Sequence, residues 1–130
     1  MRIAVDTSAI IAVLLEEPEA EKFRAILLTY EPYIIGPVLL ETLMVLSRRI
    51  GSNPDEHLSK FLINIGAEII PFDQQMTILA QQAFLAFGKG RHPAKLNFGD
   101  CMSYALAKSQ RVPLLFKGDD FALTDVERAV

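Results

Sequence analysis

Five acidic residues stand where a parallel α/β protein would gather a functional site. They are Asp6, Glu41, Asp100 and the adjacent pair Asp119 and Asp120. The first follows the apolar run RIAV, and the pair follows the run PLLF. The remaining two each stand in the first turn of a predicted helix. A carboxylate in apolar surroundings is unfavourable unless something compensates its charge, so these positions require a chemical explanation.

Three or four carboxylates in one cleft would repel each other unless a hard divalent cation lay between them. Mg²⁺ prefers oxygen ligands and retains several waters, and such a site can activate a water and stabilise charge on a phosphate. Zinc sites use histidine and cysteine, and this chain has only His57, His92 and Cys101. The acids together therefore predict a magnesium site for phosphate chemistry.

Each acid taken alone also has a structural interpretation. Asp6 can cap the first helix. Glu41 and Asp100 lie near helix N-termini, where the macrodipole favours negative charge. Asp119 and Asp120 can form a polar turn. The functional interpretation therefore depends on the fold bringing these acids together.

The elements that must position these acids alternate along the chain. Predicted strands occupy 2–5, 33–36, 68–71 and 113–116, and predicted helices occupy 8–15, 18–28, 37–50, 54–64, 73–87 and 99–109. This alternation predicts a parallel sheet covered by helices, in which sites lie beyond the carboxyl ends of the strands. With 130 residues and no linker or repeat, we expect one domain over 1–130.

Composition limits the possible partners and location. The net charge of −3 gives no general basic surface for nucleic acid, so any such contact must be local. A single cysteine excludes an internal disulfide and suits a reducing cytosol. The apolar runs are too short to span a membrane, and Asp6 interrupts the apolar N-terminus, which argues against a signal peptide. We therefore expect a cytoplasmic protein without a membrane partner.

Four segments in order carry a resemblance to a known family. They are IAVDTSAIIAVLLEEPEAEKF at 3–23, PVLLETLMVL around Glu41, GKGRHPAKLNFGDCMSYALAK at 88–108 and LLFKGDDFALTDV at 114–126. The chain resembles the PIN-domain ribonucleases, most closely the VapC toxins of type II toxin–antitoxin pairs. The resemblance implies a PIN-like α/β fold with a small parallel sheet of about four to five strands flanked by helices.

The same resemblance implies an activity and its partners. Family members use Mg²⁺ or Mn²⁺ to cleave single-stranded regions of RNA, so the expected function is that of a metal-dependent endoribonuclease toxin. Mg²⁺ is the expected cofactor, with Mn²⁺ able to substitute. The expected partners are an RNA substrate, a VapB-type antitoxin and a second copy of the chain in a homodimer. DNA would be bound only indirectly, through the antitoxin.

The family's acids are assigned by position. Asp6, Glu41 and Asp100 match the three main acids. The first and third would be the most direct metal ligands, and Glu41 would complete the pocket directly or through water. The position of the fourth acid is occupied by Gly118, so we assign that role to Asp119, with Asp120 as the alternative.

The family also has a small hydroxyl residue after the first acid, matched by Thr7 and Ser8. Either residue would orient Asp6 or contact a phosphate. Capping of the first helix is the interpretation preferred for both.

A basic segment precedes Asp100 and offers the local RNA contact that the net charge requires. The candidate RNA-binding residues are Lys89, Arg91, His92 and Lys95, with Lys117 from the last strand end. Glycines in GKGRHPAK would let the backbone approach a phosphate. The alternative is a solvated loop. A role for His92 as an acid at the leaving oxygen is not required beside a metal-bound water, and Phe98 is expected to pack in the core rather than stack on a base.

The predicted helices around 19–28 and 38–50 are apolar on more than one face. This excess indicates a further buried surface, for a homodimer and an antitoxin groove in the resembled family. A well-filled monomer core is the alternative.

Two other functions remain open at this point. Asp6 after the first strand suits an aspartate-nucleophile phosphohydrolase or phosphotransfer domain, although a haloacid-dehalogenase-type motif would need a second Asp where Ser8 stands. A catalytically inactive PIN-like binding module is the other alternative, supported by the unsettled fourth acid.

Overall fold

The computed structural model describes residues 1–129 and is built on a four-stranded parallel sheet. The strands are β1 (Arg2–Val5), β2 (Glu31–Ile35), β3 (Glu68–Ile70) and β4 (Leu114–Leu115), in the spatial order β3-β2-β1-β4. Every neighbouring pair of strands is parallel. The predicted sheet is therefore confirmed, and the first and last strands, which precede candidate acids, are direct neighbours.

Six α-helices flank the sheet. They are α1 (Thr7–Leu14), α2 (Ala20–Thr29), α3 (Gly36–Arg49), α4 (Pro54–Ile65), α5 (Gln74–Phe87) and α6 (Phe98–Gln110). Helix α6 packs on β1, β2 and β4 and is covered by α5, while α1 packs on α2 and α3. No helix within residues 1–129 is long and apolar enough to cross a membrane.

The central strands are apolar on both faces, as is typical of buried parallel strands. In β1, the side chains of Ile3, Ala4 and Val5 are at most 1% exposed, and both leucines of β4 are equally buried. Strand β3 lies at the edge of the sheet, and Glu68 is exposed there. Strands β1 and β2 lie at the centre of the sheet and β4 lies at the edge opposite β3. The acids that follow β1 and β4 are therefore supported by buried apolar strands.

Local capping explains several helix boundaries. The Asp73 carboxylate accepts a hydrogen bond from the Met76 amide at 2.9 Å and begins α5, as the sequence predicts. Helix α4 ends at Gly66, whose φ of 66° is the left-handed conformation that favours glycine. Helix α3 begins at Gly36, so the predicted strand over 33–36 ends one residue earlier than expected.

The last strand is shorter than the predicted 113–116. Pro113 has no amide hydrogen and contributes only its carbonyl, which accepts a 2.8 Å hydrogen bond from the Ala4 amide. The Leu115 carbonyl accepts from the Asp6 amide at 3.0 Å. This second bond fixes the backbone of the first candidate acid to the end of β4.

Candidate active site

Asp6 lies at the carboxyl end of β1 and is only 5% exposed. Its Oδ1 accepts a 2.5 Å hydrogen bond from the Ser103 hydroxyl on α6. Its Oδ2 accepts from the Ser8 amide at 3.0 Å and from the Ser8 hydroxyl at 2.6 Å. Every one of these bonds is donated to the carboxylate, and together they fix its orientation.

Ser103 is a site residue that sequence reasoning missed. The sequence presents it as one of several small residues packing against the sheet, and it is indeed fully buried. Its one distinguishing signal is its spacing, one helical turn after Asp100 on the same face of α6. That spacing allows a single helix to contribute an acid and to hold another acid from β1.

The hydroxyl residues after Asp6 bind carboxylates rather than cap the first helix. Asp6 itself is the N-cap of α1, through the Ser8 amide. The Thr7 hydroxyl donates to Glu41 Oε1 at 2.6 Å, and the Ser8 hydroxyl, besides donating to Asp6, accepts from the Lys117 amide at 3.0 Å. The preferred interpretation of Thr7 and Ser8 as caps is therefore wrong, and Ser8 links Asp6 to the turn after β4.

Glu41 is half-buried on α3 and faces the first turn of α6. A Cβ built on Gly99 would lie 2.5 Å from Glu41 Oε2, which shows how closely the carboxylate approaches that turn. With the bond from Thr7, Glu41 is therefore held between the start of α1 and the start of α6.

Asp100 forms a reciprocal cap at the start of α6. The Asn97 side chain accepts from the Asp100 amide at 2.8 Å, and Asp100 Oδ2 accepts from the Asn97 amide at 3.0 Å. Helix α6 therefore starts at Phe98, one residue before the predicted 99, with Asn97 as its N-cap. Asp100 contributes Oδ2 to this cap, so the structural interpretation of Asp100 as a residue of a helix N-terminus is confirmed.

The electrostatics show that the acids share one region. Burial raises the pKa of Asp100 from 3.8 to about 7; the hydrogen bond from the Asn97 amide opposes the rise, and the charges of Asp6, Asp120 and Glu41 add to it. The carboxylates that follow β1 and β4 and the one on α3 therefore lie close enough to Asp100 for their charges to act on it.

The turn after β4 carries the two candidates for the fourth acid, both exposed. The Asp119 carbonyl accepts from the Ala122 amide at 3.1 Å, which opens a short 3₁₀ helix at Phe121–Leu123. The Phe121 ring is buried against Phe116, with the ring centroids 5.0 Å apart. The charge of Asp120 is one of the causes that raise the pKa of Asp100, which favours Asp120 for this role.

The donor set fits a hydrated magnesium or manganese ion rather than a closed metal cage. Carboxylate oxygens from four elements converge electrostatically, and such hard donors suit Mg²⁺. Among residues 1–129, no three histidine, cysteine or acidic side chains are close enough to enclose an ion by themselves. Mg²⁺ is commonly held by one or two carboxylates with the remaining positions filled by water, and Asp6 and Asp100 suit that role.

The basic segment forms a closed loop between α5 and α6. Arg91 Nε donates to the Leu85 carbonyl at 3.2 Å. His92 Nδ1 accepts from the Ala94 amide at 3.0 Å, and its ring packs edge-on against Phe87 with centroids 5.1 Å apart. These contacts give Arg91 and His92 a role in shaping the loop.

Lys89 and Lys95 of the same loop are exposed, and no ion pair within the described part of the chain involves either. Lys117 differs, since its Nζ lies 2.9 Å from Glu17 and 3.4 Å from Glu19. The hydrogen bond to Glu17 is the main cause that raises the pKa of Lys117. The exposure of the two loop lysines therefore supports the prediction that they bind RNA. Lys117 is instead paired with acidic side chains of the protein.

Phe98, the first residue of α6, is 79% exposed, so the expectation that it packs in the core is wrong. It stands between two grooves. One groove, of about 680 Å³, lies between α5 and α6, and the other, of about 430 Å³, runs along α3 and includes Glu41. An exposed aromatic ring two residues before Asp100 adds an apolar surface beside the acids.

Comparison with known proteins places this site in a class. The PIN domain family model matches residues 3–127. The fold is therefore that of a PIN domain.

Sequence relatives identify the group of PIN-domain proteins to which the chain belongs. The chain is 38% identical over 125 residues to Ribonuclease VapC30 and 41% identical over 125 residues to Ribonuclease VapC36, both of Mycobacterium tuberculosis. These alignments cover 95% of this chain and 95% and 90% of the two relatives. The chain belongs to the VapC ribonucleases of the PIN-domain family.

Solved structures confirm the fold. The toxin VapC20 of Mycobacterium tuberculosis, described as cleaving the sarcin–ricin loop, superimposes with a TM-score of 0.79 at 17% identity, covering 98% of both chains. VapBC2 of Rickettsia felis, bound to a DNA fragment from its promoter, gives a TM-score of 0.76 at 15% identity, covering 98% of this chain and 96% of that one.

Proposed function

We propose that this protein is the toxin of a toxin–antitoxin pair and acts in the cytoplasm as an endoribonuclease dependent on Mg²⁺ or Mn²⁺. The observation that carries the proposal is that Asp6, Glu41 and Asp120, from three other parts of the chain, lie close enough to Asp100 for their charges to act on it. That site lies in a chain closely related to named ribonucleases.

Each side chain of the site has a separate role in RNA cleavage. Asp6 and Asp100 hold the cation, and Glu41 contributes directly or through water. When bound, the cation supplies an activated water and stabilises the charge that develops on the phosphate. Thr7 holds Glu41 in place. Lys89 and Lys95 bind backbone phosphates and reduce the repulsion between RNA and the acids.

Cleavage of RNA by the purified, antitoxin-free chain tests the proposal. We expect internal cuts in RNA with Mg²⁺ or Mn²⁺ and none with EDTA. Cleavage that persists in EDTA would contradict a role for the metal. A folded protein that binds Mn²⁺ but cuts no RNA from a total cellular pool would favour the inactive binding module.

The alternative of an aspartate nucleophile has little support in the geometry. Both oxygens of Asp6 accept hydrogen bonds within the protein, and the carboxylate is almost fully buried. A covalent aspartyl-phosphate trapped on Asp6 would revive that alternative.

Single substitutions of Asp119 and Asp120 test which of the two residues is the fourth acid of the site. Asp120→Asn is expected to lower the cleavage rate by about 10- to 100-fold, because its charge reaches Asp100, whereas Asp119→Asn should change it by less than about twofold. Initial cleavage rates on one RNA measure both. Equal effects, or the reverse order, would return the fourth role to Asp119.

Charge reversal at the loop lysines tests RNA binding. Lys89→Glu and Lys95→Glu should each weaken binding to single-stranded RNA and reduce its salt dependence, by a slope of about 0.7 for each phosphate that the variant no longer neutralises. Lys60→Glu on α4, which is exposed, makes the same charge change away from the loop and is the control. Lys117→Met should reduce stability rather than RNA affinity, so weaker RNA binding by that variant would restore Lys117 as an RNA-binding residue.

A VapB-type antitoxin and a homodimer are the protein partners that we propose, and contact with DNA would be through the antitoxin. Apolar side chains exposed next to Glu41 support such interfaces: Leu40 and Met44 on α3 are 61% and 55% exposed. Relatives of the same fold have been solved as toxin–antitoxin complexes.

A further inference from the structure

Gly99 occupies a place in α6 where any other side chain would meet the Glu41 carboxylate. A Cβ at this position would lie 2.5 Å from Oε2, 2.8 Å from Oε1 and 2.9 Å from the carboxyl carbon of Glu41. Gly36, at the start of α3, would place a Cβ with no atom within 4 Å. The space in front of Gly99 is therefore specifically the space that Glu41 fills.

We infer that Gly99 is a positioning residue, which lets the Glu41 carboxylate lie against the first turn of α6 beside Asp100. This inference rests on the proposed nuclease function and adds a requirement to it. The acids of α3 and α6 can come together only where α6 carries no side chain between them.

The backbone gives no other reason for glycine at this position. Gly99 is not among the residues with positive φ, so an L-amino acid can adopt its conformation. Glycine is also one of the least favourable residues within a helix. A residue that lowers helix stability and is not needed for backbone geometry is best explained by the carboxylate in front of it.

Alanine at position 99 should therefore leave the fold intact and move Glu41. The atoms in conflict belong to the end of a flexible side chain, which can rotate away without a shift of the backbone. Rotation would break the 2.6 Å hydrogen bond from Thr7 and carry the carboxylate out of the site. A purely structural glycine would behave in the opposite way, with reduced stability as the primary effect.

The first test compares the activity and Mn²⁺ binding of single and double variants at positions 99 and 41. Gly99→Ala should lower kcat by about 100-fold, the scale of a displacement of about 1 Å in a site, and should weaken Mn²⁺ binding. Gly36→Ala is the matched control and should change neither quantity. Glu41→Asp lowers activity on its own, but its shorter side chain restores space, so adding Gly99→Ala to it should cost no more than about threefold.

A second readout does not depend on catalysis. In EDTA, Gly99→Ala should raise Tm more in a Glu41→Ala background than in the wild-type background, because the conflict is absent there. Equal Tm changes in both backgrounds, or full activity of Gly99→Ala, would overturn the inference. If the wild-type chain cuts no RNA, the proposed function fails, yet the Tm cycle still decides whether Gly99 makes room for Glu41.

Discussion

Asp100→Asn is expected to abolish RNA cleavage and, at the same time, to make the metal-free protein more stable at pH 8. The loss of activity, about 10³-fold, follows from removing a charged ligand at the centre of the site. The gain in stability follows from the pKa of Asp100, which burial and the neighbouring acids raise from 3.8 to about 7.

The sign of the stability effect follows from proton linkage. The unfolded chain releases the Asp100 proton near pH 4, whereas the folded chain releases it near pH 7. The stabilisation that protonated Asp100 gives to the folded state is therefore present in full below pH 4. It is lost as the pH rises from about 4 to about 7. The full shift corresponds to about 4 kcal/mol, and because the side chain is partly exposed we expect about 2 kcal/mol at pH 8.

Thermal unfolding in EDTA between pH 5 and pH 8.5 measures this effect. The Asp100→Asn variant should melt several degrees above the wild type at pH 8 and near it at pH 5. Asp125→Asn is a matched control. Burial acts to raise the pKa of Asp125, but hydrogen bonds from Tyr104 and Lys108 outweigh it and leave the pKa lowered, so this variant should lose stability at neutral pH. A lower Tm for Asp100→Asn at pH 8 would contradict the electrostatic account.

Asp6→Asn is expected to abolish cleavage to the same degree but to destabilise the protein. Three donor groups point at the Asp6 carboxylate, from the Ser103 hydroxyl and from the amide and hydroxyl of Ser8. An asparagine side chain has one acceptor oxygen, and its NH₂ group would face donors. The unpaired donors in this buried position should lower the free energy of unfolding by about 1–3 kcal/mol.

Chemical denaturation at pH 7 measures this loss, and Asp73→Asn provides the control. Asp73 also caps a helix through its carboxylate, but it is exposed, and asparagine is an equally good N-cap. We expect that variant to differ from wild type by less than about 0.5 kcal/mol. If Asp6→Asn were as stable as Asp73→Asn, the hydrogen bonds to Asp6 would not hold the site together.

The expected changes in stability have opposite signs for Asp6→Asn and Asp100→Asn because the two carboxylates lie in different environments. Asp6 is an acid whose carboxylate accepts hydrogen bonds from three donor groups of the protein. Asp100 is an acid whose ionised form the protein destabilises, so that a cation is needed to balance it. A generally damaging substitution would lower stability at both positions, which makes the contrast specific to these two electrostatic environments.

Much of the fold could be predicted from local patterns. Residues 3–5 and 114–116 of the runs RIAV and PLLF are apolar because parallel strands are buried on both faces. Asp73 and Asn97 begin helices through local hydrogen bonds that a single segment encodes. The convergence of acids from distant segments followed from the rule that parallel strands end at one edge. Boundaries moved by one or two residues where Pro113 and Gly36 set the local geometry.

Other features depend on contacts between distant segments and could not be predicted. The bond from Ser103 to Asp6 joins residues 97 positions apart, and the approach of Glu41 to Gly99 depends on how α3 packs against α6. The exposure of Phe98 and the pairing of Lys117 with Glu17 likewise follow from packing. Residue type indicated that these side chains could act, and only the fold determined what each one meets.

Calorimetric titration of the antitoxin-free protein with Mn²⁺ at pH 8 tests most directly whether the acids form a metal site. We expect saturable binding to the wild-type chain, abolished in Asp6→Asn and in Asp100→Asn and retained in Asp119→Asn. Binding that survives unchanged in both Asp6→Asn and Asp100→Asn, or no binding to the wild type at millimolar Mn²⁺, would contradict a cation held by these carboxylates.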